Sequence, residues 1–589
     1  MAFQASILAE HPAWAGSPPP PDTAGGAGGG LPDGVASGPD IDPTRAPEFV
    51  YKYVDAEAAG IRGRVLVDGA HLGDLHLLDA TIVGYMLTFK IPNCSVAVVS
   101  GDGDGCLIYV RGFTWIERLL ELEPLLTTAT GTAERWVVTA PETPFRIGSL
   151  TRSMTAAAIH ALSRNQPSRP ARLKLTDSVV DHPTMSRNLP RPLRTTYYTQ
   201  PTSLSSMGLS VDLDRALGEV QVQNLLRHTA GWMESAGGSS SPWAQWSHEY
   251  LSAVEAPTFE RDSVGASALP IDKARYIEIA LSADGIESRN RVRDWVQPAD
   301  GMFQYSNLGY ALLGRIIEQH CLPFDYMSYM RRNIWLSPYF GMEDTGSLDM
   351  EIESCLPLEA RYYAFPVDFS YRSVIRDGFD AAAYGGFADW SLADAGGSVR
   401  SSAVDMAKWV RNLRWHHPPR RSSDHPMFRG LALGLGGGSL GSTTATDDIA
   451  QTMWNSAHGM FRDNHGLLGF DSATSRNVPP RFHTGSMSGL STGFYLFAPQ
   501  DGPSAPSPTV MANAAFCCFV NRTEPGFVAA GTGPWGWSAA QDEAIDRRAD
   551  TPGEGPNLWR VLKGALSTLA SSGAISNTGG ADDDLFDSF

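Results

Sequence analysis

The amino-acid sequence predicts an α+β fold: an antiparallel sheet flanked by helices, built from both ends of the chain, with an all-helical subdomain inserted between them. Two patterns and one bulk property predict it. Strand-like runs lie near both ends, SVAVVS and CLIYVRGF before residue 115 and GFYLFAP and TVMANAAFCCFV after residue 490. Segments with helical spacing, VQNLLRHT, LGYALLGRIIEQ and SAVDMAKWVRNLRW, lie between them. The composition, 42% hydrophobic and 19% charged, suits a globular chain with a large core.

Taken in order, residues 1–43 are expected to be disordered. Their stretch SPPPPDTAGGAGGGLPDGVASGPD has too little apolar surface to bury, and a plain linker is its simplest reading. Residues 44–80 form an N-terminal extension to which the sequence assigns no role. Residues 81–570 form the main domain. It opens with ATIVGYMLTF, a helix by its apolar spacing, then SVAVVS and CLIYVRGF joined across the turn GDGDG, a β-hairpin. In FRIGSLTRSMTAAAIHAL an extended piece ends at Ile147, Gly148 breaks it, and Ser149 opens an Ala-rich helix. Residues of about 165–385 make the helical subdomain, with Pro/Gly-rich connectors; 59 glycines and 40 prolines predict long loops. A last helix runs from about Asn557 to Leu569, and 571–589, ending ADDDLFDSF, is an acidic disordered tail.

The formal net charge of −18 repels phosphate backbones and anionic lipid, so neither nucleic acid nor a membrane is an expected partner. No apolar run reaches the ~20 residues of a spanning helix. The N-terminal MAFQASILAEHPAW has neither the basic nor the apolar region of a signal peptide. The six cysteines form no CxxC pair, and the adjacent Cys517 and Cys518 sit in an apolar run as buried free thiols. These features together predict a cytoplasmic protein.

Ser149 is a candidate nucleophile. A serine at a helix start has unpaired backbone N–H groups and the positive dipole end beside its hydroxyl, which favour an alkoxide and a developing oxyanion. A plain helix cap is the alternative reading of the residue alone. Arg152, three positions on, shares its helix face.

FRIGSLTRSMTAAAIHAL resembles the active-site segment of the serine β-lactamase-related family, which includes class C β-lactamases, penicillin-binding proteins, esterases, D-aminopeptidases and acyltransferases. The family motif S-x-x-K reads Ser149-Leu150-Thr151-Arg152 here. Further segments follow in the family's order: KLTDSVV; QNLLRHTAGW with His228 and Gly231; Tyr305-Ser306-Asn307, matching Y-x-N; NIWLSPYFGMEDT; DAGGSVRSSAVDMAKW; and His483-Thr484-Gly485, matching K-T-G or H-x-G. Each is weak alone; their order over about residues 80–525 is specific. The resemblance implies a β-lactamase/transpeptidase-like fold and an acyl-enzyme on Ser149. It implies Tyr305 as general base and then acid, a role that needs a phenol near about 10 brought down by a nearby cation. It further implies an oxyanion hole from the backbone N–H groups of Ser149 and Ser486, and substrate contacts from Asn307, His483, Thr484 and Gly485. The expected substrate is a small ester or amide, with no metal or organic cofactor; the oligomeric state is left open.

Two departures matter. Arg152 stands where the family has lysine, and arginine does not give up its proton. It serves if a fixed cation and donor is all that is needed; otherwise the chain is an impaired relative that binds or scaffolds. His483 stands where lactamases use lysine for a substrate carboxylate, which disfavours β-lactam hydrolysis and looks like the esterase and aminopeptidase branches.

Rival motifs fail on context. Gly489-Leu490-Ser491-Thr492-Gly493 fits the G-x-S-x-G elbow, but a strand-like run follows it and no histidine lies beyond His483. Gly436 to Gly441 fits G-x-G-x-x-G without a helix after it. Asp102 and Asp104 belong to a turn, because the twelfth position of a calcium loop would be Phe113. His416-His417 has no third ligand in view.

Overall fold

The computed structural model describes residues 52–58, 60–71, 73–100, 106–120, 137–163, 173–179, 203–204, 209–210, 220–230, 273, 305–321, 323–336, 340–347, 359–362, 370–372, 380–382, 394–413, 449–463, 469–471, 476–487, 490–498, 514–521 and 558–571. The GDGDG turn, the Gly436–Gly441 loop, the His416-His417 pair and both chain termini lie outside them.

The strands that matter are β1 (Lys52–Ala58), β2 (Ile61–His71), β3 (Asn93–Ser100), β4 (Cys106–Trp115), β5 (Phe145–Arg146), β6 (Gly346–Ser347), β7 (Val399–Ser401), β8 (Phe461–Arg462), β9 (Arg481–Met487), β10 (Leu490–Leu496) and β11 (Ala515–Val520). The helices are α1 (Leu77–Phe89), α2 (Thr151–Leu162), α3 (Val222–Leu226), α4 (Asn307–Cys321), α5 (Tyr326–Met330), α6 (Asp394–Gly397), α7 (Ala403–Leu413), α8 (Ile449–Ser456) and α9 (Leu558–Ser571).

One eight-stranded sheet runs β1-β2-β4-β3-β11-β10-β9-β8. Its N-terminal and C-terminal halves meet where β3 pairs antiparallel with β11, from Ala515 opposite Val99 to Val520 opposite Cys94. The expected sheet from both chain ends is therefore present. Residues 52–71, to which the sequence assigned no role, supply the edge strands β1 and β2. On β1 the outward positions are Tyr53, Asp55 and Glu57; charges on an exposed edge oppose pairing with another chain.

The period of two sets the layers. Cys517 and Phe519 of β11 face a core shared with α2, α4 and α7, whereas Cys518 and Val520 face a second core shared with α1 and α9. The adjacent cysteines thus point to opposite faces. Both are buried and neither is in a disulfide, as expected, and burial pushes the Cys517 thiol up to about 12. At the seam, Asn521 and Asn93 are joined twice, Asn93 N–H to Asn521 Oδ1 at 2.7 Å and Asn521 Nδ2 to Asn93 Oδ1 at 2.8 Å.

A second, three-stranded sheet, β5-β7-β6, fixes the approach to Ser149. Ile147 N–H donates to Val399 O at 2.9 Å. Among the described residues no helix is long and apolar enough to cross a membrane.

Candidate active site

The chain leaves β5, reverses at Gly148 and enters α2. Gly148 has φ +54°, a left-handed conformation that glycine adopts without a Cβ penalty. Ser149 does not open the α-helix itself. It occupies a 3-10 turn, Gly148–Leu150, and α2 starts at Thr151. The turn is tied by Thr151 Oγ1 donating to Gly148 O at 2.7 Å and Ser153 Oγ donating to Leu150 O at 2.8 Å. Every residue of α2 is buried, so the turn stands on a helix that cannot shift alone.

Tyr305, just before α4, is buried, and its hydroxyl donates to Ser149 Oγ at 2.8 Å. Residues 156 positions apart are thus in hydrogen-bond contact. Arg152 is 0% exposed. Its guanidinium carbon lies 3.9 Å from the Tyr305 ring centroid and 5.1 Å from that of Tyr310. Its hydrogen bonds go elsewhere: Nε to Gly396 O at 3.2 Å, and Nη2 to Asn307 Oδ1. No carboxylate of the described residues pairs with it, and Nη1 has no hydrogen-bond partner. The arginine therefore faces the phenol through its ring, as a cation over an aromatic face.

Asn307 opens α4 and holds Arg152. His228, which the sequence placed only in a family-like segment, holds Tyr305. Its ring stacks on the phenol at 4.7 Å between centroids, and its Nδ1 accepts Ser306 N–H at 3.0 Å. Its backbone is left-handed, φ 56°, and burial pushes its imidazole well below the usual range, with Arg152 and His483 adding to this.

β9 brings the third segment. Gly485 packs on the nucleophile turn so closely that a Cβ there would stand 2.4 Å from Ile147 O and 3.1 Å from Ser149 N. Thr492 Oγ1 on β10 donates to Ile147 O at 3.0 Å, and its hydroxyl also lies 3.2 Å from Gly485 O. Ser486, the next residue, pairs with Ser491 across the hairpin. Thr484 is buried. His483 is 0% exposed, its Nδ1 is 2.7 Å from Thr484 O, and its Nε2 has no hydrogen-bond partner. Burial, then Arg152, lowers it to about 3, so the ring is neutral.

Phe461 of β8 closes the cluster, with ring centroids 4.5 Å from His483 and 6.2 Å from both Tyr305 and His228. The sequence offered no sign of it, because a two-residue strand has no period to read. The rival serine, Ser491, is buried within β10 and followed by more strand, which no nucleophile elbow allows.

Ser149, Tyr305, Arg152, Asn307, Gly485 and His483 therefore converge. The chain is similar to several solved structures: the octameric penicillin-binding protein homologue from Pyrococcus abyssi (18% identity, 78% of this chain and 76% of that one, TM-score 0.41), the class C beta lactamase from Rhodobacter sphaeroides (15%, 76% and 94%, 0.38), and the D-amino acid amidase from Ochrobactrum anthropi SV3 (15%, 83% and 99%, 0.38). No curated protein matches it. The Beta-lactamase family model matches residues 123–539. That match takes in well over half of the chain, from before Ser149 to beyond the last strand of the sheet, and the chain belongs to the beta-lactamase family, with its β-lactamase/transpeptidase-like fold.

Proposed function

We propose that the chain is a serine hydrolase or acyltransferase that acts on a small ester or amide through an acyl-enzyme on Ser149. The observation that carries this reading is the 2.8 Å hydrogen bond between Tyr305 and Ser149 with a buried guanidinium 3.9 Å from the phenol ring. In the reactive form the phenol is ionised, and the same line carries the proton from Ser149 to Tyr305 as the serine oxygen attacks the carbonyl carbon. Negative charge on the ring is stabilised by the cation over its face. Arg152 does not accept the proton. The carbonyl oxygen, as it gains charge, takes the backbone N–H groups of Ser149 and Ser486. Tyr305 then returns the proton to the leaving alcohol or amine. Deacylation repeats the steps with water for hydrolysis, or with an alcohol or amine for transfer. Asn307 keeps Arg152 under the phenol, while Thr484, Gly485 and His483 line the substrate side on β9.

A second reading, an impaired relative that binds rather than turns over, is favoured by one observation: the Arg152 hydrogen bonds go to Asn307 and Gly396 and none goes to Ser149. Labelling with a fluorophosphonate followed by mass spectrometry separates the two. The first reading expects an adduct on Ser149 that is absent in Ser149→Ala. The second expects no adduct in the native chain and labelling only in Arg152→Lys.

A further inference from the structure

Next to the site, and not used by it, lies a chain of three side chains, two buried imidazoles and one exposed arginine. Arg227 Nε donates to His458 Nε2 at 3.0 Å, and His458 Nδ1 lies 2.9 Å from His160 Nε2. The two imidazoles are stacked, 5.1 Å between centroids, and both are buried. An arginine only donates. His458 Nε2 must therefore accept, and a neutral imidazole with its lone pair at Nε2 carries its proton on Nδ1. That proton points at His160 Nε2, which must accept in turn. The chain has one direction, Arg227 to His458 to His160. A proton added at His160 Nε2 would set two N–H groups against each other.

The chain joins three parts of the site. His160 is on α2, eleven positions after Ser149. Arg227 precedes His228, which stacks on Tyr305 and accepts Ser306 N–H. His458 lies between Ala457 and Gly459, both left-handed at φ 54° and 69°. Gly459 packs so tightly on α2 that a Cβ would stand 2.8 Å from Arg152 O, and Phe461, two residues on, packs on Tyr305, His228 and His483. An alanine in the left-handed region is disfavoured, so this turn needs side-chain anchoring to persist.

We infer that Arg227, His458 and His160 form a proton-sensitive brace that holds Tyr305 against Ser149 and releases it in acid. All three are positioning residues. Charged and titratable groups stand on most of the elements packed around the brace: Arg315, Glu318 and His320 on α4, Asp394 on α6 with its partner Lys273, Arg462 on β8, His228 after α3 and His483 on β9. α2 carries His160 and Arg152, the end of α3 carries Arg227, and α8 has no ionisable side chain. On β9, Arg481 is bound to Trp454 O. On α7, Lys408 reaches Asp405 and Gly341 O, Asp405 accepts from Thr345, and Arg411 lies near the end of the helix. Burial, then His160 and Arg227, lowers His458 to about 2.

The brace rests on the serine chemistry proposed above, and two measurements on the full chain keep the two apart. The first is the rate of fluorophosphonate labelling of Ser149 from pH 8 to pH 4.5. The native rate is expected to fall as the pH drops and the chain takes up a proton. His160→Gln, which keeps an acceptor but does not titrate, is expected to match native at pH 8 and to carry the rate at least about one pH unit further into acid. Arg227→Met, which frees His458 to rotate, is expected to label about tenfold more slowly at pH 8. The second measurement is the thermal midpoint of native and His160→Gln at pH 8 and pH 5. Equality at pH 8 and a higher midpoint for the variant at pH 5 are expected. Superimposable labelling profiles for native and His160→Gln, or equal midpoints at both pH values, would overturn the brace. Absence of labelling in every variant counts against serine chemistry, and the midpoints then decide the brace alone.

Discussion

Gly485→Ala tests the assembly of the site without any assumption about substrate. The added Cβ would stand 2.3 Å from Thr492 Oγ1 and 2.4 Å from Ile147 O. The threonine can turn its hydroxyl away. Ile147 O is backbone, two residues before Ser149, and is held by Thr492 itself. A carbon–oxygen contact needs about 3.3 Å, so β9 and the nucleophile turn must part by about 1 Å. A displacement of ~1 Å costs about 100-fold in rate, or about 2.7 kcal/mol of activation free energy. The overpacking itself costs roughly 1–3 kcal/mol of stability. The assay is the second-order rate of fluorophosphonate labelling, with thermal melting to confirm folding. Gly564→Ala in α9 is the control, since nothing lies within 4 Å of its added Cβ; it is expected to label as native. A folded Gly485→Ala labelling within about threefold of native would refute the claim that β9 closes on Ser149.

Tyr305→Phe keeps the ring between His228 and Arg152 but removes the hydroxyl, so labelling is expected to fall by about 10²–10⁴-fold with little change in melting temperature; labelling at the native rate would assign proton transfer to another group. Asn521→Ala strips partners from Asn93 N–H, Asn93 Oδ1 and Arg361 O at the seam of the sheet, and a loss of about 3 kcal/mol in urea unfolding is expected. Stability is also expected to depend on acid. His458, His483 and His228 are all lowered by burial, the first two to about 2 and about 3, so the unfolded chain binds more protons below about pH 6.5 and stability is lost as pH falls from there through the folded values. Glu142 and Asp405, raised by burial to about 7 and about 6, act in the opposite sense until their unfolded forms also protonate near about pH 4. Stability should therefore fall by about 1.4 kcal/mol per pH unit between about pH 6 and 4, for the one uncompensated imidazole, and by up to about 4 kcal/mol per pH unit between 4 and 3. A flat urea-unfolding profile across that last interval would contradict the buried neutral imidazoles.

Much of the fold was legible because the signals are local. The run AAFCCFV alternates between two cores and reads as a strand, and LGYALLGRIIE repeats its apolar residues at helical spacing. The reversal at Gly148 into a buried helix was legible too, from one glycine and a run of alanines. The fine structure at Ser149 was not: a 3-10 turn and the first turn of an α-helix have the same composition. Phe461 and His458 went unnoticed, since a two-residue strand and a turn carry no period.

What the sequence determined alone is the list of segments and their order: a serine at a glycine turn with a cation three residues later, a tyrosine far on, and a histidine in a late strand-like segment. Where those side chains spend their hydrogen bonds was decided by tertiary structure. Arg152 reaches a carbonyl 244 residues away and the Asn307 amide 155 residues away, and meets Tyr305 through its ring. His483 is neutral because its strand lies beneath Phe461 and beside a guanidinium. Such pairings depend on strand register and helix packing, where a shift of one residue turns a side chain to the opposite face, and local sequence does not encode which distant group will be there to meet it.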